Sequence, residues 1–173
     1  MDSPVAMIYD WDSQWAMEDS QGPRNKGLHY LENLLKYYRG FRKQGISVDL
    51  LDQTCDVEKY KVLVLPMVYM FKEGFAEKVR TFVENGGTLI TSYWSGIVDG
   101  TDRCYLGGTP HGLMDVLGLR STEIDGLYDG EYNRGVPVKG NELCLTKTYT
   151  CNHLCGVIKL GTPLTASHLL GVL

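Results

Sequence analysis

Two stretches of this sequence concentrate side chains that could do chemistry. The first, DWDSQWAMED, sets Trp11 and Trp15 among Asp10, Asp12, Glu18 and Asp19. Indole rings beside carboxylates suit a sugar subsite, and two carboxylates on one edge can supply acid-base work on a glycosidic bond. The second stretch, residues 86–108, carries Tyr93, Trp94, Ser95, Asp99, Asp102, Arg103 and the Gly107-Gly108 pair. Trp, Tyr and Arg are also the residues enriched at the centres of protein interfaces. Contact anchors are the preferred reading of both stretches, because no carboxylate pair has an apolar setting that would shift its pKa and mark it as an acid.

Three further sites invite a chemical reading. Ser95 lies in Ser92-Tyr93-Trp94-Ser95-Gly96, with His111 downstream as a possible base. A serine nucleophile also needs an orienting group and an oxyanion hole, and a lone Ser-Gly more often marks a turn. Cys104 is a second candidate nucleophile. The five cysteines, Cys55, Cys104, Cys144, Cys151 and Cys155, are scattered and odd in number, so reduced thiols are expected. Cys151 and Cys155 flank His153, but two thiols four apart without a second pair read as packing, and neither a metal nor a cofactor is expected.

The elements that must position these residues follow from apolar patterning. Residues 4–10 read as a strand ending in a carboxylate, and residues 12–26 as a polar loop. Over 28–44 the apolar positions Leu31, Leu34, Leu35, Tyr38 and Phe41 recur at helical spacing, with Gly45 as the C-terminal cap. Residues 46–51 and 61–68 predict a second and a third strand, the third apolar throughout as a doubly buried parallel strand would be. Phe75, Val79, Phe82 and Val83 give the next helix its inner stripe, Gly86-Gly87 stops it, and residues 88–93 form a fourth strand. The residues between the second and third strands leave little room for a crossover helix. Beyond Pro110 the signal weakens: a short helix at 113–117 capped by Gly118, a fifth strand at 119–124, and an alternating strand at 143–149. The tail from 161 to 173 has no clear period.

This order predicts an α/β fold with a mostly parallel sheet in the order 2-1-3-4, as a three-layer α/β/α, flavodoxin-like arrangement. The loops after the first and fourth strands should then share the carboxyl edge, which brings the two chemistry-bearing stretches together. A flavin phosphate loop after the first strand is excluded by its acidity, and a phospho-accepting aspartate is missing where the third strand ends Pro66-Met67-Val68. A class I glutamine amidotransferase would place cysteine at the turn after the fourth strand, where Trp94 stands instead.

The 173 residues suffice for a single domain, 1–173, with a substantial core, and are too few for a (β/α)8 barrel of about 250 residues. A net charge of −4 argues against a nucleic-acid partner, and Lys36, Arg39, Arg42 and Lys43 read as the solvated face of one helix. No signal peptide and no membrane-length apolar run is apparent, so no membrane partner and a cytoplasmic location are expected.

With these residues in view, the segments MIYDWDSQWAMEDSQGP, LHYLENLLKYYRGFRKQGISVDLL, YKVLVLPMVYM and FVENGGTLITSYWSGIVDGTDRCYLGGTPHGLMDVLGLRSTEIDGL together resemble the trimerisation domain of glycoside hydrolase family 42 β-galactosidases. The resemblance runs over about residues 5–127, thins over 128–173, and is strongest at Asp10-Trp11, Trp15, Glu18, Pro66 and residues 95–108. It implies a class I glutamine amidotransferase-like fold without its nucleophile, following a catalytic (β/α)8 barrel and mediating a homotrimer. The two catalytic glutamates would belong to that barrel, so no residue here is expected to be catalytic. The tail departs from the family pattern, as a truncated, degraded or frameshifted end would. Partners are then further copies of the parent and its barrel. The contact candidates are Asp10, Trp11, Trp15, Glu18, Tyr93, Trp94, Ser95, Asp99, Asp102, Arg103, Gly107 and Gly108. A small amidotransferase-like hydrolase using Ser95 or Cys104, and a sugar-binding module, stand as the alternatives.

Overall fold

The computed structural model describes residues 3–20, 28–141 and 144–162. Its centre is a four-stranded parallel sheet built from β1 (Val5–Ile8), β2 (Val48–Leu51), β3 (Val62–Leu65) and β5 (Thr88–Thr91), in the order β2-β1-β3-β5. This is the predicted order, with β1 and β3 as the two inner strands. Their residues are almost wholly buried, as continuous apolar runs require.

Alternate residues of the inner strands divide the core in two. Val5, Met7 and Val64 pack with Ala16, Met17, Tyr30 and Leu34 of α1 (Trp11–Asp19) and α2 (Tyr30–Lys43). Ala6, Ile8, Leu63 and Leu65 pack with Phe75, Val79 and Phe82 of α3 (Phe75–Glu84). Helices thus cover both faces, because a period of two sends each neighbouring residue to the opposite side. Two glycines end α2 and α3 in the same way. Gly45 and Gly86 adopt positive φ, at 73° and 90°. The amides that follow close the last turn, Ile46 N–H onto the Phe41 carbonyl at 3.1 Å and Gly87 N–H onto the Phe82 carbonyl at 3.0 Å.

The chain passes from β2 to β3 through turns alone, tied down by Val57 and Tyr60, both buried. Two-residue strands β4 (Met70–Phe71) and β6 (Val98–Asp99) pair in parallel beyond the sheet. After α4 (Met114–Leu117), the strand β7 (Leu119–Gly126) pairs antiparallel with β10 (Leu154–Leu160), and β8 (Asn133–Gly135) with β9 (Tyr149–Cys151).

Several sequence expectations need correction. Residues 11–19 are helical, where a loop is expected. Asp10 caps this helix by accepting the Ser13 amide at 2.8 Å, while Ser13, Ala16 and Met17 face inward. The predicted fifth strand lengthens to Gly126 and forms a separate ribbon with β10. The strand expected at 143–149 is absent over residues 144–148 and β9 starts at Tyr149; residue 143, like 163–173 of the tail, lies outside the described residues. Among the described residues no helix is long and apolar enough to cross a membrane.

Candidate functional site

At the carboxyl edge of the sheet, the segment following β3 joins the two stretches that the sequence singles out. Ser13 Oγ of α1 accepts the Met70 amide at 3.0 Å. From the other side, the Gly96 and Ile97 amides each donate at 2.9 Å, to the Val68 and Tyr69 carbonyls. Residues 66–72 therefore act as the strip to which both α1 and the 93–99 loop are fastened.

Lys72 closes this edge electrostatically. Its Nζ lies 2.8 Å from Asp10 Oδ1, 2.8 Å from Asp12 Oδ2 and 3.5 Å from Asp52 Oδ2. Asp10 is fully buried, and a buried carboxylate requires a countercharge. Burial works to lower the lysine's pKa, but the hydrogen bonds and charges of Asp10, Asp12 and Asp52 outweigh it and hold the ammonium above its ordinary range. Burial likewise works to raise Asp52, and hydrogen bonds from Thr54 with the nearby Lys72 leave it lowered. Gln53, also buried, accepts the Lys72 amide at 3.1 Å and donates to the Met70 carbonyl at 2.9 Å. Lys72 and Gln53 carry no motif; a lysine after an apolar run opposite three aspartates is the only signal they leave.

The candidate residues fall into three groups. Trp11 and Trp15, 53% and 59% exposed, stand on α1 with ring centroids 6.0 Å apart, and Tyr9 packs edge-on to Trp11 at 4.9 Å. Glu18 lies on the same helix and accepts from Gln14 at 2.9 Å. Trp94 and Ser95 are buried, with Trp94 stacked on Tyr69 at 5.9 Å. Tyr93 is 39% exposed and reaches Asn33 of α2 at 3.4 Å. The third group is outermost. Asp99 Oδ1 accepts from Thr101 N at 2.8 Å, Thr101 Oγ1 at 2.7 Å and Arg103 N at 3.2 Å, which brings its carboxyl down to about 2. Asp102 has φ 61°, Arg103 is exposed, and Gly107 and Gly108 have φ of 96° and 104°. A Cβ on Gly108 would come within 2.9 Å of the Ser121 carbonyl oxygen.

A serine relay is not assembled here. The Ser95 hydroxyl and His111 Nδ1 are both buried without a hydrogen-bond partner, and the His111 ring instead stacks flat on Tyr105 at 3.7 Å. Trp94 holds φ 61° at the turn after β5, so a left-handed backbone presents an indole that turns into the core. Cys104 is exposed, in a bridge to Val98. Cys155 Sγ accepts from Asn133 at 2.7 Å.

Comparison with known proteins supplies a family. Residues 3–169 match the model of the β-galactosidase trimerisation domain, so the match continues well past residue 127. A β-galactosidase of Alicyclobacillus acidocaldarius is 44% identical over 159 residues, which are 90% of this chain and 23% of that protein. One of Clostridium perfringens is 45% identical, over 89% of this chain and 22% of its own length. The crystal structure of a cold-adapted β-galactosidase from Rahnella sp. R3 superposes with a TM-score of 0.89 at 45% identity, over 93% of this chain and 24% of that one. The chain thus spans less than a quarter of the length of these relatives.

Proposed function

This chain belongs to the β-galactosidase trimerisation-domain family, and we propose that it joins copies of a longer parent into a homotrimer without taking part in catalysis. The observation that carries this reading is the carboxyl edge itself. Where an open α/β sheet would hold a ligand, Lys72 occupies the space between Asp10, Asp12 and Asp52, and the helix that starts at this edge exposes Trp11 and Trp15. Rigid aromatic side chains of that kind act as anchors in protein contacts.

In this reading the contact surface comprises Trp11, Trp15 and Glu18 on α1, with Tyr93, Asp99, Asp102 and Arg103 on the segment after β5. Asp10, Trp94, Ser95, Gly107 and Gly108 act from beneath, by fixing those segments. The parent cleaves β-galactosides in a barrel outside these residues, in the cytoplasm, and residues 1–173 form one domain beside that barrel. Sedimentation velocity over a range of concentrations tests the central claim. A trimer is the expected species, and a chain that remains monomeric at about 0.1 mM refutes self-association at any useful affinity.

A further inference from the structure

A closed trimer sets a condition that one contact patch cannot meet. Its subunits are related by a three-fold rotation, so each contact joins two different patches of the same chain, whereas a self-complementary patch produces a dimer. The surface on α1 therefore needs a counterpart elsewhere on the chain.

The counterpart is legible on α2. A groove of about 570 Å³ runs along this helix, lined by Asn33, Lys36, Tyr37, Gly40, Phe41 and Ile46 among others. Tyr37, Phe41 and Ile46 pack against the core from its rim and give the groove an apolar floor. Gly40 leaves the gap between them, since nothing lies within 4 Å of the position its Cβ would take. The exposed residues around it are Lys36, Arg39, Arg42 and Lys43, with Glu32 the helix's one acid. On α1 the pattern reverses: Trp11 and Trp15 project, Asp12, Glu18 and Asp19 supply negative charge, and the helix has no basic residue. Among the described residues no ion pair joins α1 to α2; Asp12 is already paired with Lys72, so the exposed acids that α1 can offer a partner are Glu18 and Asp19.

We propose that Trp15 of one copy seats in the α2 groove of the next, with Glu18 and Asp19 facing Lys36 and its basic neighbours. The occupant is a second copy of this chain, and the inference rests on the trimer reading above. Charge excludes the symmetric alternatives, because groove on groove or α1 on α1 would oppose like charges. The groove begins beside Asn33, which also contacts Tyr93, so it is continuous with the contact surface already described. One buried indole contributes about 150–250 Å². A stable interface needs about 800 Å² per partner, so this contact anchors a wider surface.

Light scattering and sedimentation of five variants test the proposal. Gly40→Trp puts an indole at the groove from within its own chain, at an exposed helical position where a Cβ meets nothing within 4 Å, and circular dichroism verifies the fold. Its trimer dissociation constant should rise at least tenfold, as should that of Trp15→Ala, while Gly40→Ala should associate as the parent does. Lys36→Glu should weaken assembly, and adding Glu18→Lys to the same chain should restore it, since every contact in the ring would then carry the swapped pair. A Gly40→Trp chain that trimerises normally overturns the groove and leaves the trimer reading standing. An unaltered chain that never associates overturns both.

Discussion

Replacing Lys72 by Met isolates the electrostatic closure of the carboxyl edge. The ammonium sits 2.8 Å from Asp10, whose carboxylate has no exposed surface, so its removal strands a charge in the core. Breaking a buried pair from one side costs about 3–5 kcal/mol. The low end applies here, because Lys72 retains 27% exposure and Asp12 and Asp52, at 47% and 40%, can turn to water. A loss of about 3 kcal/mol is a large share of the 5–15 kcal/mol typical of a domain. With a urea m-value of about 2 kcal/mol/M, the midpoint should fall by about 1.5 M. Asp10→Asn provides the second arm: the amide oxygen can still cap α1 at Ser13, while the stranded charge is gone. Lys72→Met combined with Asp10→Asn should therefore be more stable than Lys72→Met alone. A single-variant loss below about 0.5 kcal/mol, or strict additivity in the double variant, would refute the clamp. The pH dependence follows from the directions of the shifts. The raised Lys72 adds stability that is complete below its unfolded value of 10.5 and is lost as pH rises through the higher folded value. The lowered Asp52 adds stability present above 3.8, lost as pH falls through its lower folded value.

Four other outcomes are expected. Gly87→Ala puts a Cβ 2.4 Å from the buried Phe82 ring, and thermal melting should show a loss of about 1–3 kcal/mol; an unchanged melting temperature would mean that the ring moves freely. The Thr101 amide resonance should titrate with a midpoint of about 2, since its proton is held by Asp99, and a midpoint at 3.8 would remove that bond. Trp94→Ala excises a buried indole stacked on Tyr69 and should cost about 3–5 kcal/mol in denaturant titration; a cost under about 1 kcal/mol would show that the loop does not depend on it. Arg103→Ala, at a side chain 82% exposed, should leave stability within about 0.5 kcal/mol while weakening assembly, and an unaltered sedimentation profile would take Arg103 out of the contact.

The sheet and two of its helices were readable because burial on both faces leaves no place for polar residues in β1 and β3, and because Gly45 and Gly86 mark their helix ends unambiguously. The first helix was not readable, and its composition explains why. Its inward positions hold Ser13, the small Ala16 and Met17, while both of its indoles face solvent, so the apolar residues point both ways and the usual amphipathic signal is cancelled. Lys72 escaped for another reason: its partners Asp10, Asp12 and Asp52 come from two different strand ends, and only the sheet order brings them together. The two-residue strands β4 and β6 are too short to leave any periodicity.

The turn at Trp94 connects these points. A bulky residue at φ 61° is costly, by about 1–2 kcal/mol, and such strain persists where surrounding structure enforces it. Here the enforcement is visible: the Met67 amide binds Ser92 Oγ at 2.8 Å, the Gly96 amide binds the Val68 carbonyl, and the indole lies on Tyr69. A strained turn of this kind can serve chemistry by projecting a nucleophile outward. With an indole in that position the side chain is drawn inward, and burial of its surface offsets the backbone cost. The loop that leaves the turn is then fixed at its root. Asp99 gathers Thr101 and Arg103 at its tip, and a loop held at both places can present Arg103 to a partner without the ordering cost that a mobile segment would incur.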